Sequence, residues 1–241
     1  MGGFTERNPQ SGKVQPLSVH SRKTKAIWNI LSQRSLRTDV LAWFASHPAE
    51  SVNGVVVSEA FGKFTTGSDH AAAGCIAPSQ YTEALNACRV APNDVDPNIL
   101  GFFIPEWQQI DLERDPRPGK LAKHLSELYS YHNAAMWILQ NKGMPHLMAV
   151  YYHFIDWICH DFMEYSAPRR PEITETDFRL YKNVVDAAYQ LQDILLRELL
   201  NAAGPQTNLL LVSDHGFLSG DERPQRTPRV TAGIAAWHRP Q

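Results

Sequence analysis

Five residues in the second half of the chain have the types and spacing of metal donors. Asp156 and His160 stand four apart in "YYHFIDWICHDFMEY", Asp214 and His215 are adjacent in "TNLLLVSDHGF", and His238 follows in "AGIAAWHRPQ". One turn of helix or a compact loop aims an i, i+4 pair at a common point, as metal ligands often are. Neighbours on an extended strand point to opposite faces, so Asp214 and His215 can share a site only where the chain bends, and Gly216 permits that bend. Two Asp and three His form a mixed oxygen and nitrogen set that suits zinc, and also manganese or iron. The set exceeds one four-coordinate site. Two ions roughly 3.5 to 4 Å apart, clamping the attacking and leaving oxygens of a phosphoryl group, are the arrangement it would serve.

Such donors need elements that bring them to one place. The apolar stretch "HLMAVYYHFI", 146 to 155, reads as a buried strand that ends on Asp156, and Leu209 to Val212 reads as a second one that stops at Ser213, Asp214 and His215. Between them a helix is opened by Thr174 with Asp177 three residues on, a variant of the capping box. Its apolar face runs through Phe178, Tyr181, Val185, Ala188, Leu195 and Leu199 until Gly204 and Pro205 end it. Strand, helix, strand makes a βαβ unit with parallel strands, whose carboxyl ends share the edge where open α/β sheets bind ligands.

The rest of the chain extends this pattern. Residues 22 to 34, "RKTKAIWNILSQR", read as a helix leading into the strand "TDVLAWF", 38 to 44, and the loop "ASHPAE", 45 to 50. With that strand parallel to the other two, the loop rims the site, and His47 and Glu50 become candidates for touching substrate or supporting a ligand. The plainer alternative is a turn set by Pro48, with Ser46 as a cap. From about Gly62 to Gly119 the composition turns to Gly, Ala, Pro, Asn and Asp with one short helix at 79 to 90, which reads as an insertion or lid, 62–119. A helix follows, with Leu121, Leu125, Leu128, His132, Ala135 and Leu139 on one face.

Bulk properties bound the function. A chain of 241 residues can bury a large core as one domain plus an insertion. With 23 basic and 25 acidic residues it carries no electrostatic signature for nucleic acid or an anionic membrane. No apolar stretch approaches the roughly 18 residues of a spanning helix, and the start lacks the apolar core of a signal peptide. Cys75, Cys88 and Cys159 cannot all pair, which favours a reducing compartment, although Cys75 and Cys88 could bridge locally.

At these residues the chain resembles the type I phosphodiesterase and nucleotide pyrophosphatase group of the alkaline phosphatase superfamily. "YYHFIDWICHDFMEY", "LLLVSDHGF" and "AAWHRPQ" stand in that group's order and spacing, and "AIWNILSQRSLRTDVLAWFASHPAE" looks like its helix and strand after the catalytic threonine. The resemblance implies an alkaline-phosphatase-like α/β fold, a mostly parallel sheet flanked by helices, with an insertion or lid subdomain. It implies one metal on Asp156, His160 and His238, and a second on Asp214, His215 and an Asp at the end of a first strand. A Thr or Ser at a helix N-terminus would be the nucleophile, activated by the second metal. That Asp and that nucleophile would lie upstream of Met1, and "WHRPQ" stops where the group continues, so residues 1–241 correspond to a partial catalytic domain, truncated at both ends. Phe4 stands near where nucleotide-hydrolysing members carry an Asn. The function implied is metal-dependent hydrolysis of small-molecule phosphate esters, diesters or pyrophosphates, with two divalent ions, zinc or manganese. The alternative is an inactive metal-binding or partner-binding fragment.

Three other patterns have plainer readings. "SAPRR", Ser166 to Arg170, fits the sulfatase pattern Ser-x-Pro-x-Arg but follows Asp156 and His160 instead of preceding the metal ligands, so it reads as a turn. His160-Asp161 resembles the pair of helical phosphohydrolases, but it follows a strand that their fold lacks. His153 reads as a packed histidine within the strand. Neither G-x-S-x-G nor H-E-x-x-H occurs, so the serine-hydrolase and zincin readings lack their signatures.

Overall fold

The computed structural model describes residues 5–8, 10–64 and 70–223. A short antiparallel ribbon, β1 (Thr5–Arg7) against β2 (Val14–Pro16), comes first, and Asn8 shapes its turn by accepting the Gln10 and Ser11 amides. Helix α1 spans Ile27–Ser32, shorter than the 22–34 expected, because the Asn29 side chain accepts the Ala26 amide and sets the start there. Its one buried residue, Trp28, faces the sheet.

The main sheet is built from β3 (Thr38–Leu41), β4 (Val56–Val57), β5 (Ile76–Ala77) and β6 (Leu147–Val150), in the order β5-β4-β3-β6. β3 runs parallel to both β4 and β6, with Thr38 beside Leu147 and Leu41 beside Val150, while β5 is antiparallel. Alternation along β3 serves two layers: Val40 packs with Trp28 on the α1 face, and Leu41 packs with Tyr131, Ala134 and Ile138 on the other. The strand stops short of Phe44 because Ala42 takes φ 56°, outside the extended region.

The opposite layer is helical. After α2 (Thr82–Asn86) and α3 (Pro97–Phe103), the long α4 (Arg117–Lys142) buries every residue of its expected face, and Gly143 at φ 69° ends it. Then come α5 (Phe154–Phe162), α6 (Glu175–Tyr181) and α7 (Val184–Ala203). Thr174 caps α6 as the sequence indicates, but the helix expected through Leu199 breaks at Lys182 and Asn183 before α7 resumes. Within 62–119, β5 joins the main sheet, and Leu85, Phe103 and Ile104 are fully buried in the two larger cores. Cys75, Cys88 and Cys159 are free, and among the described residues no helix is long and apolar enough to cross a membrane.

Two expectations about the βαβ unit need correction. The run 146–155 is not one strand: β6 ends at Val150, and Asp156 lies in the first turn of α5. Continuous apolarity marks burial and does not separate a strand from the helix that follows it. Leu209 to Val212 form no strand, and Leu210 and Leu211 are 85% and 78% exposed. Among the described residues β6 is the sheet's edge and pairs only with β3, so no neighbour holds the second run in an extended ladder.

Candidate metal centre

The parallel pairing of β3 with β6 sets the site's position, because it places both carboxyl ends on one edge. Three residues beyond β6 the chain turns into α5, whose Phe154, Ile158, Cys159 and Phe162 are buried against the helical core. The helical period then carries Asp156 and His160 to the opposite, half-exposed side.

Residues 213–217 return to the same place. Asp156 Oδ1 lies 3.4 Å from His160 Nε2 and 3.4 Å from His215 Nε2, and His215 Nε2 is 3.9 Å from Asp214 Oδ2. Four of the five donors picked out by their types are thus together, though a loop and not a strand end delivers the second pair. Asp156 Oδ1 is buried and receives no hydrogen bond, despite two ring nitrogens at 3.4 Å. The Nδ1 of His215 is 3.2 Å from the Gly216 carbonyl, which can only accept, so Nδ1 carries a hydrogen, and whenever the ring is neutral Nε2 presents a lone pair. A lone pair facing a carboxylate oxygen repels it unless a cation or proton sits between them.

Phe217 and Tyr151 complete the surroundings, and neither stood out by residue type. The Phe217 ring meets His160 and His215 edge-on, at centroid distances of 5.1 and 5.4 Å, and packs on the helical core beneath. Tyr151 follows β6, and burial together with the charges of Asp214 and Asp156 pushes its phenol up. Its place inside the apolar stretch 146 to 155 was the available signal for Tyr151. For Phe217 there was none beyond adjacency to the Asp-His pair.

A family model described as type I phosphodiesterase / nucleotide pyrophosphatase matches residues 2–231. The chain belongs to this family. No curated protein and no solved structure matches it. Type I phosphodiesterases and nucleotide pyrophosphatases are hydrolases, and the α/β fold with its parallel-containing sheet is consistent with that membership.

For this phosphodiesterase-family chain the remaining candidates divide. His47 follows β3 on the edge that also carries Asp156, and its Nδ1 is 3.1 Å from Ser58 Oγ. Glu50 is engaged elsewhere, accepting from Arg22 and Asn29 and so fastening α1. His238 lies outside the described residues. Asp161 turns inward, 2.5 Å from Lys120 Nζ and 2.9 Å from His124 Nε2. His153 is not within a strand but at the start of α5, packed between Tyr151 and Trp157, with its pKa lowered by burial. Ser166 to Arg170 form bends and irregular chain, as a turn would.

The donor types would suit a divalent cation, with two imidazole nitrogens 3.4 Å from Asp156 Oδ1, Asp214 beside His215 alone, and that one carboxylate oxygen buried without a donor. Among the described residues no three His, Cys, Asp or Glu side chains stand at the spacing of a formed metal site.

Proposed function

We propose that this chain takes part in metal-dependent hydrolysis of phosphodiester or pyrophosphate bonds in small-molecule phosphate esters, with Asp156, His160, Asp214 and His215 as its metal donors. The observation that supports the reading is the buried, donorless Asp156 Oδ1 facing two imidazole nitrogens on the sheet's carboxyl edge. His238 joins Asp156 and His160 as the third donor of one site, and Asp214 and His215 serve the other, in keeping with the family resemblance. Zinc or manganese bound there supplies Lewis-acid stabilisation of phosphoryl oxygens and acidifies an attacking oxygen.

The chain's own groups do the positioning. The Gly216 carbonyl holds His215 in the tautomer that leaves Nε2 free to ligate, and Phe217 limits the rotation of both imidazoles. α5 keeps Asp156 and His160 one turn apart on a helix anchored to the core, so their separation is set before any ion arrives.

Calorimetric titration of the whole chain with zinc, then with inorganic phosphate, tests the reading. Zinc binding that Asp156→Asn weakens by about 100-fold, with phosphate binding only to the zinc-loaded protein, is the expected result. Zinc affinity indifferent to both Asp156→Asn and His215→Ala overturns it.

A further inference from the structure

One position on the apolar face of α4 is not apolar. His132 is only 3% exposed, and it stands with Leu125, Leu128 and Leu139 on the side that the helix buries. A buried imidazole costs stability unless its nitrogens find partners. Here both do. Nε2 lies 2.9 Å from Glu198 Oε2 on α7, and Nδ1 lies 2.9 Å from the hydroxyl of Tyr152, in the segment that joins β6 to α5.

The bonds hold in either protonation state of the ring. The Glu198 carboxylate can only accept, so Nε2 carries a hydrogen. In the neutral ring Nδ1 accepts the Tyr152 O–H, and in the charged ring Nδ1–H donates to the phenolic oxygen. Glu198 therefore sets the orientation of the ring, and the ring holds Tyr152. The Glu198 side chain is 51% exposed, whereas Tyr152 packs on both of the larger cores, so the line runs from the surface into the interior.

Lys120, His124, Leu128 and His132 follow one another four residues apart, a ridge that winds along α4. Lys120 and His124 bind Asp161 in the last turn of α5, Leu128 is buried in the cluster that holds Phe154 and Ile158, and His132 binds Tyr152 two residues before α5 begins. The ridge thus fastens α5 at both ends. Asp156 lies in the first turn of that helix and His160 one turn further on. Only His153 separates Tyr152 from the helix, and its carbonyl accepts the Trp157 amide. A shift of Tyr152 is therefore carried into the turn that bears Asp156.

We propose that His132 is a positioning residue for the metal donors: oriented by Glu198, it fixes Tyr152 and with it the place of Asp156 and His160 relative to His215. The inference rests on the proposed role of those residues as donors. Asp156 Oδ1 is 3.4 Å from Nε2 of both His160 and His215. A working site tolerates displacements of only about 0.5 Å among its groups, so the seat of α5 matters to the centre as well as to the core.

Zinc titration and the visible spectrum of the cobalt-loaded protein, each beside urea unfolding of the whole chain, test the proposal. Tyr152→Phe deletes the hydroxyl and keeps the ring. It is expected to weaken zinc binding about fivefold or more and to shift the cobalt bands while the protein stays folded. Glu198→Met, at a half-exposed position, should act in the same direction, and the double variant should lose no more than the larger single loss, because one line carries both effects. Glu198→Gln keeps an acceptor oxygen for Nε2–H and should retain the wild-type affinity and spectrum. A line that only stabilised the core would lower the urea midpoint and leave both metal readouts where they were. Metal readouts unchanged in Tyr152→Phe and Glu198→Met, additive losses in the double variant, or Glu198→Gln as weak as Glu198→Met overturns the proposal and leaves the metal centre standing. A wild-type chain that binds no zinc overturns both.

Discussion

Asp156 Oδ1 and its two imidazole neighbours pose a question of orientation before one of affinity. Each ring must hold Nε2 toward the oxygen, and the Phe217 ring touches both. Removing such a support usually costs a metal site 10- to 100-fold in affinity. Phe217→Ala is therefore expected to weaken zinc binding about tenfold or more, with a destabilisation of about 1 kcal/mol from the lost packing of a half-buried ring, measured by calorimetry and urea unfolding together. Unchanged zinc affinity would show that the ring only fills space. At this scale the proximity of four of the five candidates was legible in advance, and their role as metal donors is the proposal above. Asp156, His160, Asp214 and His215 declare themselves because their chemistry is in their type and their spacing is local. Phe217 does not, because a phenylalanine after glycine looks the same whether it packs a core or steadies two ligands.

At the scale of elements, α5 decides whether the donors of the first pair face the edge or the core, and one ion pair fixes its rotation. Asp161 follows His160 but points the opposite way, toward Lys120 and His124 of α4. Burial alone would push its carboxyl up, but the bonds from His124 and Lys120 outweigh that and hold it at about 2, below the ordinary 3.8. A depressed value stabilises the fold above the ordinary pKa, and that contribution is lost as pH falls from 3.8 through about 2. Asp161→Asn is thus expected to destabilise the protein by roughly 2 kcal/mol at neutral pH. The gap to the wild type, followed by urea unfolding, should close between pH 4 and pH 2. A gap that persists at the acid end would assign the loss to packing. The element boundaries show where sequence patterns stop informing. The face of α4 could be read residue by residue because polar positions alternate with it, whereas the β6–α5 junction lies inside one apolar run, where both periods look alike.

Over the whole molecule, the α/β architecture and the shared edge of β3 and β6 follow from elements that each bury their own face, but strand neighbours are chosen by partners far along the chain. Leu209 to Val212 illustrate the difference. Their pattern suits a buried strand, yet they stand 53%, 85%, 78% and 73% exposed, and among the described residues β6 ends the sheet with one side unpaired. Four consecutive exposed apolar residues are a recognised route to association, as is an open strand edge. Charge at this run interrupts such contacts without entering the core. Leu210→Lys combined with Val212→Lys is expected to shift unfolding stability by no more than about 0.5 kcal/mol, as for surface positions, while the concentration at which light scattering first reports association rises. A large loss of stability, with association unchanged, would mean that these residues are covered in solution and that the run finds its strand partner after all.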